Sequence, residues 1–150
     1  MEQTLVLIKP DALQRGLSGT IIARLESRGL KLVALKLMQV GSDLALQHYG
    51  EHAEKSFFKG LVEFITSSPI IAMVLEGNEA VAIVRSSMGE TNPKNADPGT
   101  IRGDFALDMG RNLIHGSDSI DSARKEIALF FADTEILNYQ RGTDPWITEL

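Results

Sequence analysis

The sequence contains no cysteine, and that absence removes a whole set of chemistries. There is no disulfide framework, thiolate nucleophile, Cys-ligated zinc or iron–sulfur cluster, so catalysis must rest on other side chains, and a reducing cytosol suits the chain. Long apolar runs are also missing. The longest, Ile70 to Leu75, is far too short to cross a bilayer, and Met1-Glu2 opens no basic and then apolar signal region, so the expectation is a soluble, cytoplasmic protein. Positive charge is in the minority, with 15 Lys and Arg against 20 Asp and Glu and a net charge of -5. That balance argues against general affinity for nucleic acid or an anionic membrane, both of which need a basic surface. A small polyanion is a different case, because a few arginines converging in one pocket can oppose the global sign. Repeats, linkers and low-complexity runs are absent. What is present is ordinary: 150 residues, 43% of them hydrophobic, enough for one domain, 1–150, with a real core.

The pattern along the chain alternates short apolar runs with helical periodicities. Thr4 to Lys9 is apolar and partly β-branched and Pro10 ends it, which predicts a buried strand. Ser18 is placed to cap a helix with Ile21, Ile22 and Leu25 on one face and Gly29 at its end. A second strand is expected from about Leu30 to Val40. Helical patterns follow at Asp43 to His48 and Phe57 to Thr66, then a third strand at Ile70 to Glu76. Asn78 is placed to cap a helix through Ala80, Val81 and Val84; a fourth strand is expected at Leu113 to Ser117 and a helix at Ile120 to Phe131, with an irregular tail past Thr134. Strand, helix, strand, helical insert, strand, helix, strand is a βαββαβ frame, the order of the split-βαβ sandwich with its antiparallel sheet; a parallel Rossmann-like winding shares that order. Against the latter, no G-x-G-x-x-G follows a strand, and no G-x-x-x-x-G-K-[ST] loop exists. From Arg85 to Ser117 the chain is rich in Gly and Pro and has hardly any periodicity. Its Phe105, Leu107, Met109, Leu113 and Ile114 argue for an ordered loop over a site rather than for disorder.

Three histidines could carry chemistry. His48 and His52 fall in His48-Tyr49-Gly50-Glu51-His52, which formally matches the H-x-x-E-H metal signature of a zinc hydrolase. Gly50 weakens the helix that motif needs and only His115 or an unassigned carboxylate could supply the third ligand, so two surface histidines on a polar helix end are the plainer reading. His115 lies between the apolar pair Leu113-Ile114 and Gly116, which lets another group come close. In an extended segment Ser117 shares a face with His115. Glu126 sits at the edge of the buried face of the last helix, where a carboxylate needs a partner. An imidazole N–H would serve, fixing the tautomer and leaving the other nitrogen free as a nucleophile or base, although a core histidine satisfied in the same way is an equal alternative from these residues alone. Lys9, Arg85 and Arg102 are the cations available for phosphates, each with a surface charge as its ordinary role. Only one of the adjacent Phe57 and Phe58 can face fully inward, which leaves the other to line a cleft.

Taken together, Lys9-Pro10-Asp11, His48-Tyr49, Phe57-Phe58, Gly89-Glu90-Thr91-Asn92-Pro93, Gly99 to Phe105 and above all Asn112 to Asp118 resemble the nucleoside diphosphate kinase family. The resemblance runs from about Thr4 to Trp146, and the stretch ending His-Gly-Ser-Asp is highly specific. It implies an α+β, ferredoxin-like split-βαβ sandwich with a four-stranded antiparallel sheet, extra helices and a long nucleotide-site loop. It also implies an enzyme that moves the γ-phosphate of a nucleoside triphosphate, chiefly ATP, to a nucleoside diphosphate by a ping-pong cycle through phosphohistidine, maintaining nucleotide pools. On that resemblance His115 is the phosphate acceptor, and Glu126 and Ser117 hold it. Lys9, Tyr49, Arg85, Thr91, Arg102 and Asn112 contact phosphate and ribose, while Phe57 stacks on the base with Met109 near its other face. Mg2+ would arrive with the nucleotide and have no protein ligand. The family is oligomeric, most often hexameric, and the tail with Trp146 resembles the longer, hexamer-forming chains. Departures are mild: Ser56 stands where proline is expected, and Arg85-Ser86-Ser87-Met88 is more polar than the usual run. The rival readings are the zinc hydrolase and a nucleotide-binding interaction module without turnover.

Overall fold

Five consecutive residues of the first strand, Thr4 to Ile8, are buried, so the strand cannot have a wet face. In the computed structural model, which describes residues 1–149, β1 (Glu2–Ile8) runs through the middle of a four-stranded sheet. It pairs antiparallel with β3 (Ile70–Gly77) on one side and β4 (Ile114–Gly116) on the other, and β3 pairs with β2 (Lys31–Met38), giving the order β2-β3-β1-β4. This is the antiparallel sheet of the split-βαβ sandwich, not a parallel winding.

Side chains alternate along β1, and each set meets its own layer of helices. Val6 and Ile8, with Met73 and Leu75, pack against Ile21 and Leu25 of α2 (Ser18–Ser27) and Ala80, Val84 and Met88 of α5 (Ala80–Met88). Leu5 and Leu7, with Val33 and Val74, pack against Ala45 of α3 (Ser42–His48), Ile65 of α4 (Phe58–Ile65) and Phe130 of α7 (Ile120–Phe130). The extra helices of the insert thus cover the face that a two-layer sandwich would leave wet. At roughly 1.5–3 kcal/mol for each fully buried large apolar side chain, the two clusters supply the main driving force. His115 lies opposite Leu7 in the β1–β4 ladder, so it projects toward the second layer, where α7 and the end of α3 meet.

Four details differ from the expectations. Ser18 lies inside α2, whose N-cap is Leu17, and no side chain caps it. Likewise Asn78 does not cap α5: Glu79 occupies the N-cap position, in a left-handed conformation with φ 52°, and Glu2 accepts from the Val81 N–H at 2.8 Å. Two short helices also appear where none was expected. Pro10 both stops β1 and occupies the first position of α1 (Pro10–Gln14), a place where its missing N–H costs nothing. Within the aperiodic stretch, Thr100 accepts a hydrogen bond from the Gly103 N–H and starts α6 (Ile101–Phe105). The tail is irregular, as expected, but tied down: the Leu137 N–H donates to the Val33 carbonyl at 2.9 Å, at the bulge of β2.

Candidate active site

The neighbourhood of His115 is set by a glycine. A Cβ on Gly116 would lie 2.6 Å from Met88 Sδ and 2.9 Å from Val84 Cγ1, so only glycine lets α5 pack directly on β4. On the opposite face of the strand, His115 Nε2 stands 3.1 Å from both carboxylate oxygens of Glu126. A carboxylate can only accept, so Nε2 carries the proton and Nδ1 keeps its lone pair. Ser117, fully buried, donates to Glu126 Oε1 at 2.5 Å. The serine therefore reaches the imidazole through the carboxylate rather than touching it. Burial acts to raise the Glu126 carboxyl, but hydrogen bonds from His115 and Ser117, together with the nearby imidazoles, hold it below the ordinary carboxylate range.

These groups open onto a cavity of about 670 Å³. Its walls bring together Lys9, Tyr49, Arg85, Thr91, Arg102, Asn112, His115 and Glu126, eight of the eleven residues singled out from the sequence. Ser117 lies behind the wall. Phe57 and Met109 stand outside it, 50% and 57% exposed. Phe57 is the N-cap of α4 rather than a residue of its core-facing stripe.

The two arginines are held in place by backbone oxygens and Lys9 by a side-chain amide. Arg102 is 4% exposed, and its guanidinium donates to the carbonyls of Asn112 at 3.2 Å, Gly89 at 3.1 Å and Ile114 at 2.6 Å. Burial, and then the charge of Arg85, lower its pKa to about 10. Arg85 donates to the Gly116 carbonyl at 3.2 Å. Lys9 Nζ donates to Asn112 Oδ1 at 2.8 Å, and Asn112 Nδ2 to the Thr91 carbonyl at 3.0 Å. Burial, and then Arg102, push Lys9 down to about 8. Half-buried Tyr49 moves the other way, to about 12, through desolvation and the Glu126 charge. Positive charge is thus concentrated at one end of a cavity in an acidic protein.

The pair of histidines expected at the surface is not there. The His48 side chain is 2% exposed, its ring lies 4.9 Å from that of His115, and its Nδ1 is 3.7 Å from Glu126 Oε2. The zinc motif also fails as a helical unit, because α3 stops at His48 and Gly50–His52 forms a 3-10 turn. His52 instead faces the Phe57 ring at 5.7 Å. That His48 completes the imidazole–carboxylate cluster was not readable from its spacing, because the contact is made by α7 and β4 from far along the chain.

The fold and the histidine cavity are those of a phosphotransferase, and comparison with known proteins agrees. The family model described as "Nucleoside diphosphate kinase" matches residues 2–136. A nucleoside diphosphate kinase of Listeria monocytogenes is 59% identical over 147 residues, covering 98% of this chain and 100% of the relative, and one of Carboxydothermus hydrogenoformans is 58% identical, covering 99% and 100%. Among solved structures, a nucleoside diphosphate kinase of Halobacterium salinarum in complex with CDP superposes with a TM-score of 0.97 at 52% identity, covering 99% of both chains. A family protein of Babesia bovis gives 0.96 at 42% identity, covering 99% and 100%. The chain belongs to the nucleoside diphosphate kinase family.

Proposed function

We propose that the cavity takes a nucleoside triphosphate and that His115 Nδ1 accepts its γ-phosphoryl group. The observation that carries this reading is the Glu126 carboxylate on Nε2, which fixes the tautomer with Nδ1 unprotonated. In the first half-reaction the Nδ1–P bond forms as the bond from phosphorus to the bridging β-phosphate oxygen breaks, and the nucleoside diphosphate leaves. The ring then carries a positive charge that Glu126 neutralises at 3.1 Å. In the second, a terminal oxygen of another diphosphate attacks phosphorus and Nδ1 recovers its lone pair. Lys9, Arg85 and Arg102 oppose the charge on the transferring group, and such electrostatic positioning supplies most of the catalysis in phosphoryl transfer. Tyr49, Thr91 and Asn112 line the same cavity and would supply the phosphate and ribose contacts. The exposed Phe57 and Met109 suit a base held at the rim, and stacking there, worth roughly 1–3 kcal/mol per base, accepts purines and pyrimidines alike; the relative solved with CDP agrees with that breadth.

Mg2+ demands an oxygen cage, whereas the carboxylates on the cavity wall among the described residues are Glu126, spent on His115 and Ser117, and Asp118. The residues therefore fit a magnesium ion carried by the phosphates, which would neutralise them and hold them for attack. Residues 1–150 act as one domain on this reading, in a reducing cytoplasm, and exposed Leu37 and Trp146 favour assembly into a hexamer, which sedimentation would read. No helix among the described residues is long and apolar enough to cross a membrane.

Mixing the protein with γ-labelled ATP and magnesium, without an acceptor, tests the mechanism. An acid-labile, alkali-stable phosphoprotein that empties into GTP on addition of GDP is expected, and none from His115→Ala. Persistent turnover in that variant overturns the assignment, and an unlabelled wild type leaves a nucleotide-binding module without turnover.

A further inference from the structure

His48 is a buried imidazole with no hydrogen-bond partner at either ring nitrogen. Unsatisfied buried polar groups of this kind are rare and ask for a ligand. It lies beside two other metal-competent groups: one donor atom each from His48, His115 and Glu126 fall within 4.8 Å of one another. We propose that these three side chains bind a zinc-class divalent transition-metal ion, and that its occupancy silences the phosphate acceptor.

The geometry is nearly formed. Zn–N and Zn–O distances of about 2.0–2.2 Å in a tetrahedron place donors about 3.3 Å apart. Glu126 Oε2 is 3.1 Å from His115 Nε2 and 3.7 Å from His48 Nδ1, so these two edges need shifts of only a few tenths of an ångström, and the two imidazole donors, within 4.8 Å of each other, close by rotation of the His48 ring. Ser117 holds the other oxygen, Oε1, and so orients Oε2 as an outer-shell partner does. Three protein ligands leave a fourth position for water, the arrangement of an exchangeable site. Two imidazoles select Zn, Co or Ni over Mg, which prefers oxygen. This separates the site from the magnesium that travels with the nucleotide.

The inhibitory part rests on the reading of His115 as the acceptor. A metal on Nε2 displaces the proton that Glu126 now accepts, and that proton moves to Nδ1. The ring is then the opposite tautomer, with the nucleophilic lone pair occupied. Metal binding and phosphate acceptance therefore exclude each other through one ring, without any ion touching the nucleotide.

The test begins with Co2+ added to the full chain without nucleotide. Visible bands of four-coordinate cobalt are expected, and X-ray absorption of the zinc form should show two imidazoles and one carboxylate. His48→Gln should weaken metal binding by at least about 10-fold, the loss that even an outer-shell partner's removal causes. Phosphoenzyme formed from labelled Mg-ATP by protein preloaded with Zn2+ should fall in proportion to occupancy. The proposal is overturned by absent bands, by a zinc environment without two imidazoles, by equal affinity in His48→Gln, or by full labelling of zinc-loaded protein. Should His48→Gln not fold, the X-ray absorption of the wild type decides. Failure of the acceptor reading is separately visible, as a metal-free protein that takes no label while the cobalt spectrum stands.

Discussion

Asp11 Oδ2 accepts a hydrogen bond of 3.0 Å from the backbone N–H of Leu113, a non-glycine residue held at φ 74° two positions before His115. The left-handed region costs an ordinary residue roughly 1–2 kcal/mol. Leu113 accepts that cost because its side chain is fully buried, Asp11 takes its N–H, and its carbonyl accepts from the Lys9 N–H at 2.9 Å. A five-residue helix thus aims the strand that carries His115.

Asp11→Ala should remove that clamp. Stability falls by about 1–3 kcal/mol, the cost of leaving a buried N–H unpaired, and urea denaturation reads it. Turnover should fall further than the loss of folded protein explains. Asp11→Asn, which still offers an acceptor oxygen, should recover much of both.

Gly116→Ala places a methyl group on Met88 Sδ and Val84 Cγ1. Overpacking of this kind costs about 1–3 kcal/mol. Calorimetry should show a lower Tm, and phosphoenzyme formation should slow as β4 is pushed from α5 and His115 drifts from Glu126.

His48 contributes to acid sensitivity. Burial, and then the charge of His115, depress its pKa from 6.5 to about 4. The unfolded chain therefore binds more protons between those values, so the contribution is fully present above about pH 6.5 and drains away as pH falls toward about 4. Plots of unfolding free energy against pH should be steep in that window for the wild type and flatter for His48→Gln. An unchanged slope would mean that His48 stays neutral in the unfolded chain or charged in the folded one.

Lys9 governs the alkaline side. With its pKa near 8, the ammonium that the proposed reading sets against the phosphates is lost as pH rises through that value. KM for the triphosphate should climb above about pH 8 with kcat less affected. Lys9→Arg, which stays charged, should move that limb upward.

Much of this was legible in the sequence. The strands announce themselves through Thr4 to Lys9 and Ile70 to Glu76 because short apolar runs can be buried on both faces, and α7 through a hydrophobic stripe that ends in Phe130. Helix starts were less legible. Ser18 and Asn78 are good capping residues by type, but tertiary packing starts those helices at Leu17 and Glu79. The helices of five residues, α1 and α6, are too short for periodicity, and only Pro10 and Thr100 signal them. At the site, eight residues named in advance share one cavity, while Phe57 and Met109 stay outside it. The burial of His48 depends on α7 and β4 crossing the end of α3, a contact no local spacing encodes.

The sheet order leaves β4 as an edge strand of three residues, with the Ile114 and Gly116 carbonyls turned away from β1. Unpaired edge carbonyls can template a foreign strand, and a very short edge strand limits that hazard. Arg102 occupies the first carbonyl and Arg85 the second, so the two guanidiniums plug the edge. Replacing both cations would therefore do more than weaken the proposed hold on phosphate: it would leave two buried carbonyls without their partners, at roughly 1–3 kcal/mol each, and loosen the strand that carries His115.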